Sequence, residues 1–470
     1  MSRCLAFAVI LSAGCHICPV ALAGEVEAGA AAVEITGPAG YRMSGYFNER
    51  LNTGIHDPLK AKAVVLKQDG IQAALVFCDL IGVSLDVSRR ARELAAEKTG
   101  IPAENILIAA THSHTGPLYS GALRKHFHDR SVAEMGKDPH ELQDYPAHLV
   151  KKLVEVILLA SQAVQPAQLT AGAGVVNGLS FNRRFLMRDG SVRFNPGKLN
   201  ADIVRPVGPI DPQVGLVRFS ARANGRDLAV LTVFALHLDT VGGTEYAADY
   251  PFYLERNLQR ALGLNCESLF GAGTCGDINH IDVTHDRPQK GQEEAGRIGA
   301  KLADVVTNAL PALKSVAAPR LAVRRTIVAA PLQEFSPEQV EEAQRQLFLV
   351  GTNQLPFLKQ VQAYKIMARQ LRPGGNLPME VQVFRLGDEL ALVGLPGEIF
   401  VELGLAIKAA SPFATTLVIE LCNDAPGYVP TKKAFTEGSY ETVNSLIAPG
   451  GGELLIEAAV RMLKELKAAN

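Results

Sequence analysis

Ala63-Val64-Val65-Leu66-Lys67-Gln68-Asp69-Gly70-Ile71-Gln72-Ala73-Ala74-Leu75-Val76-Phe77-Cys78 reads as two apolar strands, 63–67 and 72–78, folded back at Asp69-Gly70. An Asp-Gly pair supplies the positive φ that a tight hairpin needs, and the flanks are aliphatic and β-branched. A helical pattern follows, with Leu85, Leu94 and Ala95 among Arg89, Arg90, Arg92, Glu93 and Lys98. It ends at Thr99-Gly100, and a strand over 106–110 runs into Thr111. The same order recurs after Ile210-Asp211-Pro212, with strands 214–219 and 228–235 around Asn224-Gly225. A helix at 250–262 and a strand near Leu269 then lead into Gly273-Thr274-Cys275-Gly276-Asp277. A third instance has strands 381–386 and 389–393 around Gly387-Asp388, a helix at 398–410 and a strand at 416–421. The expected class is therefore α/β, with mixed sheets and flanking helices built from repeated hairpin–helix–strand units. In each unit, polar residues gather past the C-terminal ends of the second and third strands, the edge where α/β sheets bind ligands.

Between the units, 119–143 reads as a loop insertion. The Arg- and Gly-bearing 177–210 reads as a segment lining something, and 338–348, 358–371 and 453–468 as amphipathic helices. The chain has 470 residues, 47 basic and 48 acidic, with 47% hydrophobic and 20% charged. That balance excludes a disordered or coiled-coil chain and, lacking a basic block, argues against nucleic acid as partner. Arg3 precedes the apolar run Leu5-Ala6-Phe7-Ala8-Val9-Ile10-Leu11, too short to span a bilayer, and Ala21-Leu22-Ala23 is a small-x-small cleavage pattern. The expectation is an export signal at 1–23 and a secreted or periplasmic body at 24–470, without a transmembrane segment. Leu11-Ser12-Ala13-Gly14-Cys15 imitates a lipobox poorly, so lipid anchoring is the lesser reading. Of seven cysteines, Cys78, Cys266, Cys275 and Cys422 remain in the body. They read as buried free thiols, with a Cys266–Cys275 bridge as the alternative.

Four short segments carry donors suited to a metal. Thr111-His112-Ser113-His114-Thr115-Gly116-Pro117 holds two histidines at i and i+2, which strand periodicity turns to one side. His237 ends an apolar strand in Phe234-Ala235-Leu236-His237-Leu238-Asp239, where a structural histidine is the plainer reading. Glu398 follows Leu395-Pro396-Gly397, where a first-turn acidic residue is the plainer one. Tyr428, in Pro426-Gly427-Tyr428, is by itself an ordinary loop tyrosine. Together, two imidazoles and a carboxylate make a three-donor set for catalytic zinc that leaves a position open.

Gly54-Ile55-His56-Asp57-Pro58, the 111–117 segment, Pro396-Gly397-Glu398, and Gly427-Tyr428 through Ser439-Tyr440-Glu441 resemble the neutral ceramidases, from about residue 28 to the C-terminus. The resemblance implies an amide hydrolase acting in sphingolipid metabolism with one zinc, held by His112, His237, Glu398 and Tyr428. It places His114, Arg183 (in Phe181-Asn182-Arg183-Arg184) and Tyr440 in the active site. The chain also departs from the family pattern. Asn279 stands where the family has a serine implicated in catalysis, Phe435 stands where a tyrosine is usual, and the immunoglobulin-like C-terminal domain is missing. With the serine gone, His280 or Asp277 is the expected source of acid–base function, and a second metal near them is left open. The expected partner is a small, lipid-like molecule, with peripheral membrane contact. Two other readings keep the zinc: a hydrolase of hydrophilic substrates such as N-acylated sugars or peptides, and a non-catalytic zinc-stabilised binding protein.

Overall fold

The computed structural model describes residues 25–469 apart from 264, 317–319 and 353, so the expected export signal lies outside the described residues. All three hairpin–helix–strand units are present, and each is preceded by one further strand. The first comprises β1 (Glu27–Glu34), β2 (Lys60–Gln68), β3 (Ile71–Cys78), α1 (Leu85–Thr99) and β4 (Ile106–Ala110). β1 and β2 pair antiparallel, as do β2 and β3, whereas β3 and β4 are parallel, because α1 carries the chain back to its starting edge. Asp69 and Gly70 both have positive φ, at 47° and 80°, as their hairpin requires. Two helices follow, α2 (Gly121–Met135) and α3 (Tyr145–Gln162).

The second unit repeats this plan with β5 (Gln165–Val175), β6 (Gln213–Ala221), β7 (Asp227–Phe234), α4 (Tyr250–Leu262) and β8 (Glu267–Ala272), and α5 (Gln292–Ala309) comes after it. β5–β6 and β6–β7 are antiparallel and β7–β8 parallel. The third begins with β9 (Leu321–Pro331), is interrupted by α6 (Pro337–Gln346) and α7 (Phe357–Gln370), and continues as β10 (Asn376–Leu386), β11 (Leu390–Gly394), α8 (Val401–Ala410) and β12 (Thr415–Ile419). Its pairings follow the same two-antiparallel, one-parallel order. The chain closes with α9 (Gly451–Ala468).

The first two units join through Glu27↔Pro166 and Ala28↔Gln165 into one sheet of order β8-β7-β6-β5-β1-β2-β3-β4, with a short strand, Lys314–Ser315, beside β5. The third unit forms its own sheet, β9-β10-β11-β12, packed against the large one. Phe77, Leu107, Phe219, Leu231, Phe384, Leu392 and Ile419, drawn from all three units, share one buried cluster. Removing each such side chain from water is worth about 1.5–3 kcal/mol. Helices cover the outer faces: Ala91, Leu149 and Leu153 of α1 and α3 on the first unit, Leu254 and Leu302 of α4 and α5 on the second, and Leu403 and Leu463 of α8 and α9 on the third.

Two expectations are corrected. The stretch 119–143 is not a loop, since it contains the helix α2, closed at Gly136 with φ 70°. Its Leu123 and Phe127, one turn apart, are buried with Ala363 and Ile366 of α7. The third-unit helix starts at Val401 rather than 398; Glu398 instead forms a two-residue strand with Ile399. The segment 177–210 forms a small sheet of Arg184–Met187, Val192–Phe194 and Ile203–Pro206. The amphipathic patterns at 338–348, 358–371 and 453–468 become α6, α7 and α9. Cys78, Cys266, Cys275 and Cys422 are all free and buried.

Candidate metal centre

The C-terminal ends of strands from the three units meet at one place. His112 follows β4, His237 follows β7, Glu398 follows β11 and Tyr428 follows β12. The 111–117 loop is held by its hydroxyls: Ser113 and Thr115 both donate to the Ala247 carbonyl, at 2.6 and 2.8 Å. Strand periodicity does not aim the two histidines, because β4 ends at Ala110 and His112 has φ 82°, a left-handed conformation costly for a residue with Cβ. The kink is fixed by His112 N–H donating to Leu80 O at 2.9 Å.

The donor atoms converge. His112 Nε2 lies 2.9 Å from His237 Nε2, 3.3 Å from His114 Nε2 and 3.4 Å from Glu398 Oε2. Glu398 Oε2 is 3.9 Å from His237 Nε2. Glu398 and Tyr428 are direct partners in a two-residue parallel ladder, and the Tyr428 hydroxyl bonds the Glu398 carboxylate. His112 Nδ1 donates to Ile81 O at 2.8 Å and His237 Nδ1 faces Cys275 O at 3.4 Å. A carbonyl can only accept, so both Nδ1 atoms carry hydrogen and the facing Nε2 atoms carry lone pairs when neutral.

Lone pairs 2.9 Å apart repel unless a cation or proton lies between them, and protons are scarce here. Burial opposes protonation of His112, but Glu398 outweighs it and lifts the ring above the usual histidine value. Burial and then the charge of His112 hold His237 well below that value and take His114 to about 3. Burial pushes Glu398 upward, yet His112, the Tyr428 hydroxyl and Arg183 carry it below the ordinary carboxylate value. Glu398 Oε2 has no hydrogen-bond donor among the described residues. A buried set with more lone pairs than protons fits a divalent cation.

The other expected site residues divide into two groups. Arg183 is buried behind Tyr428, its guanidinium 5.4 Å from that ring, with Nε on Glu441 Oε1 at 3.0 Å and Nη2 on Gly276 O at 2.7 Å. Tyr440 bonds Tyr428, accepts from Asn444 Nδ2 at 3.1 Å and packs between Phe194 and Phe357. These two join the centre. Asn279 is fully buried and committed elsewhere: Nδ2 donates to Asn195 Oδ1 at 2.9 Å and Oδ1 accepts from Ile281 N–H at 3.1 Å. Asp277 accepts from Val401 N–H at the start of α8 and from Asn182 Nδ2, at 2.8 and 2.7 Å, which is a bracing role. His280 Nδ1 lies 3.2 Å from Asp239 Oδ1, and the Asp239 charge reaches His114 and His237.

Three further residues were not singled out from the sequence. Glu441, wholly buried, binds both Arg183 and Arg184. Lys365 of α7 reaches the cavity at the centre. Glu420 links the second and third units: Oε2 accepts from Cys275 and Ile399 N–H at 3.1 and 2.7 Å, and Oε1 lies 3.0 Å from Cys275 Sγ. Burial, partly opposed by the Cys275 thiol and His112, pushes Glu420 up to about 8, well above the usual carboxylate range. The folded chain therefore holds a proton that the unfolded chain has released, and stability falls as pH rises through that window. In chelator-treated protein, the melting midpoint of Glu420→Gln relative to the parent should climb between pH 5 and pH 9. A difference that is flat or falls over that range would refute the protonated Glu420.

The centre opens into a cavity of about 560 Å³ whose lining includes His112, His114, Glu398, Tyr428 and Tyr440. Arg183, Asp277, Asn279 and His280 lie outside that lining. Gly276 sets the position of Glu398. A Cβ there would stand 2.5 Å from the Glu398 carbonyl oxygen and 2.9 Å from its carbon, inside any real contact distance. Gly276→Ala should displace the carboxylate and weaken zinc about 10–100-fold in chelator competition, the range seen when support around a metal ligand is disturbed. Unchanged affinity would detach Glu398 from the ion. Among the described residues, His128, Asp138 and Glu141 also approach one another, but Arg42 holds both carboxylates and Arg124 the second, so that group is an ion-pair network.

Residues 27–246 match the family model described as neutral/alkaline non-lysosomal ceramidase, N-terminal. Over that span, a little under half of its length, the chain is similar to the neutral ceramidase family. The neutral ceramidase of Pseudomonas aeruginosa is 24% identical over 501 aligned residues, spanning 92% of this chain and 71% of its own length. The crystal structure of that organism's neutral ceramidase superposes with a TM-score of 0.71 at 21% identity, over 94% of this chain and 75% of the other. A ceramidase structure complexed with C2 gives 0.69 at the same identity and coverage. The likeness to these structures is one of fold, and it spans both sheets and the junction between them.

Proposed function

We propose that this chain is a ceramidase-like, exported, zinc-dependent hydrolase of an amide, or ester, bond in a lipid-like small molecule. The observation that carries the proposal is the convergence of three imidazole Nε2 atoms and the Glu398 carboxylate with too few protons to separate them. His112, His237, Glu398 and Tyr428 would hold the ion. When bound, zinc supplies Lewis acidity toward a carbonyl oxygen and toward water. His114, kept neutral by burial and by His112, borders the cavity and can hydrogen-bond a water or a substrate oxygen there. Tyr440, fixed by Asn444 and flanking aromatic rings, presents a hydroxyl able to donate to a developing oxyanion. Arg183 stays protonated behind Tyr428 and adds positive charge without reaching the cavity lining. Asn279 has no nucleophilic group and its amide is engaged at both ends, which supports water as the nucleophile.

Export rests on the 1–23 reading. No described helix is long and apolar enough to cross a membrane. The test is a panel of N-acyl amides, ceramide among them, and acyl esters, offered to zinc-replete and chelated protein. Turnover of any member that is lost on chelation and restored by zinc is the expected result. A folded, zinc-loaded protein that turns over none of them would overturn the proposal in favour of a binding role.

A further inference from the structure

Lys365 lies on α7 with 5% of its surface exposed, and it lines the same cavity as His112, His114 and Glu398. Its ammonium is pressed to the chain just before Tyr428: Nζ stands 3.2 Å from the point a Cβ on Gly427 would occupy. Among the described residues no hydrogen bond or ion pair satisfies it, and the Tyr364 ring stands 5.5 Å away. The side chain is buried while its ammonium tip meets the cavity, where a ligand or counter-ion can complete it. Burial lowers its pKa to about 8, so it still carries its charge at neutral pH.

The charges that reach Lys365 are Glu398, which favours the cation, and Arg372, which opposes it. Glu398 is already turned toward the histidines, 3.4 Å from His112 Nε2. The other carboxylates on the cavity wall are Asp86 and Asp424. Arg372 lines the same cavity and offsets Asp424, and Arg89 offsets Asp86, so neither carboxylate is left to neutralise Lys365. A second negative group entering the cavity is therefore drawn to Lys365, whose ammonium stands against Gly427, the residue before the proposed ligand Tyr428.

We infer that Lys365 is an anion-recognising residue, and that the substrate bears a carboxylate on its amine half, as in an N-acyl amino acid. An α-carboxylate is the anionic group that chemistry can place nearest a scissile amide nitrogen, which matches the short step from Gly427 to Tyr428. The diol half of a ceramide brings no such charge. The inference rests on the hydrolase reading and names the substrate class for it.

The test compares dodecanoylglycine with dodecanoyl-ethanolamide, a neutral analogue of similar size, in the full zinc-replete chain and in Lys365→Met and Lys365→Gln. Removing one side of a buried charge pair costs well over a factor of ten. The parent should prefer the glycine conjugate in kcat/KM, and the variants should lower that preference at least about tenfold. Zinc content and melting midpoint measured alongside identify variants that are folded and loaded. Equal kcat/KM ratios in parent and variants would overturn the inference, as would a parent that favours the ethanolamide. Calorimetric Kd values for both compounds separate this from failure of the hydrolase reading. If neither compound is cleaved but the variants weaken only the glycine conjugate at least about tenfold, anion recognition stands and hydrolysis falls. If both Kd values shift alike, Lys365 is a counter-charge for Glu398 and recognises no ligand.

Discussion

His237→Ala should leave the protein unable to retain zinc through dialysis and without measurable hydrolysis. His237 Nε2 is 2.9 Å from His112 Nε2 and 3.9 Å from Glu398 Oε2, so its loss removes a donor from the middle of the set. Disturbing only the outer partners of a metal ligand costs about 10–100-fold in affinity, and deleting the ligand should exceed that upper figure. Zinc content by elemental analysis after dialysis, alongside turnover of the best panel substrate, checks both halves. Full zinc content in the variant would make the four-residue assignment wrong, whatever happened to activity. His280→Ala is the contrasting case: its ring faces Asp239 rather than the donor cluster, so zinc content should be retained.

The second large effect is one of stability. Glu441 is wholly buried, and its two oxygens accept from Arg183 Nε at 3.0 Å and Arg184 Nη1 at 2.9 Å. The two guanidinium groups are 2% and 1% exposed, so neither can turn to water. Removing one partner of a buried ion pair costs about 3–5 kcal/mol, and Glu441→Ala strands two cations. Arg184 keeps Glu437 at 3.1 Å, which limits the damage; Arg183 keeps the Gly276 carbonyl and the faces of Phe194 and Tyr428 but no other carboxylate among the described residues. The melting midpoint of Glu441→Ala should fall further than that of any surface variant, and adding Arg183→Met should restore part of it. A midpoint within 1 °C or so of the parent would mean that solvent reaches the pair, contrary to its burial.

Much of the architecture is legible locally because hairpins and crossovers are written in nearby residues. Asp69-Gly70, Asn224-Gly225 and Gly387-Asp388 each mark a turn, and β-branched runs flank them. The leading strands were harder. Glu27–Glu34 and Gln165–Val175 are rich in alanine and glycine, weak strand formers whose extended state is set by pairing with β2 and β6. α2 was hidden by its histidines and charges, since only Leu123, Phe127 and Ser131 turn inward. His112, His237, Glu398 and Tyr428 stand out because each follows a strand in an equivalent place. Glu441, Glu420 and Lys365 give no comparable signal. Their roles come from distant partners, Arg183 at 258 positions from Glu441 and Cys275 at 145 from Glu420, and from the cavity wall for the lysine.

The junction of three units limits how the molecule can be divided. The span matched by the family model, 27–246, stops between β7 and α4. It contains all three imidazoles, yet Glu398, Tyr428 and Glu441 come from the separate sheet of the third unit and the segments after it. A fragment ending at Tyr246 would hold half of the proposed ligands and an open flank where β8 should pair. Genetic shuffling that breaks the chain between units would thus separate donors that only a complete chain brings together. Added sequence is better tolerated on the opposite edge, at turns such as Asp69-Gly70 and Asn224-Gly225, where lengthening a loop leaves every donor in place.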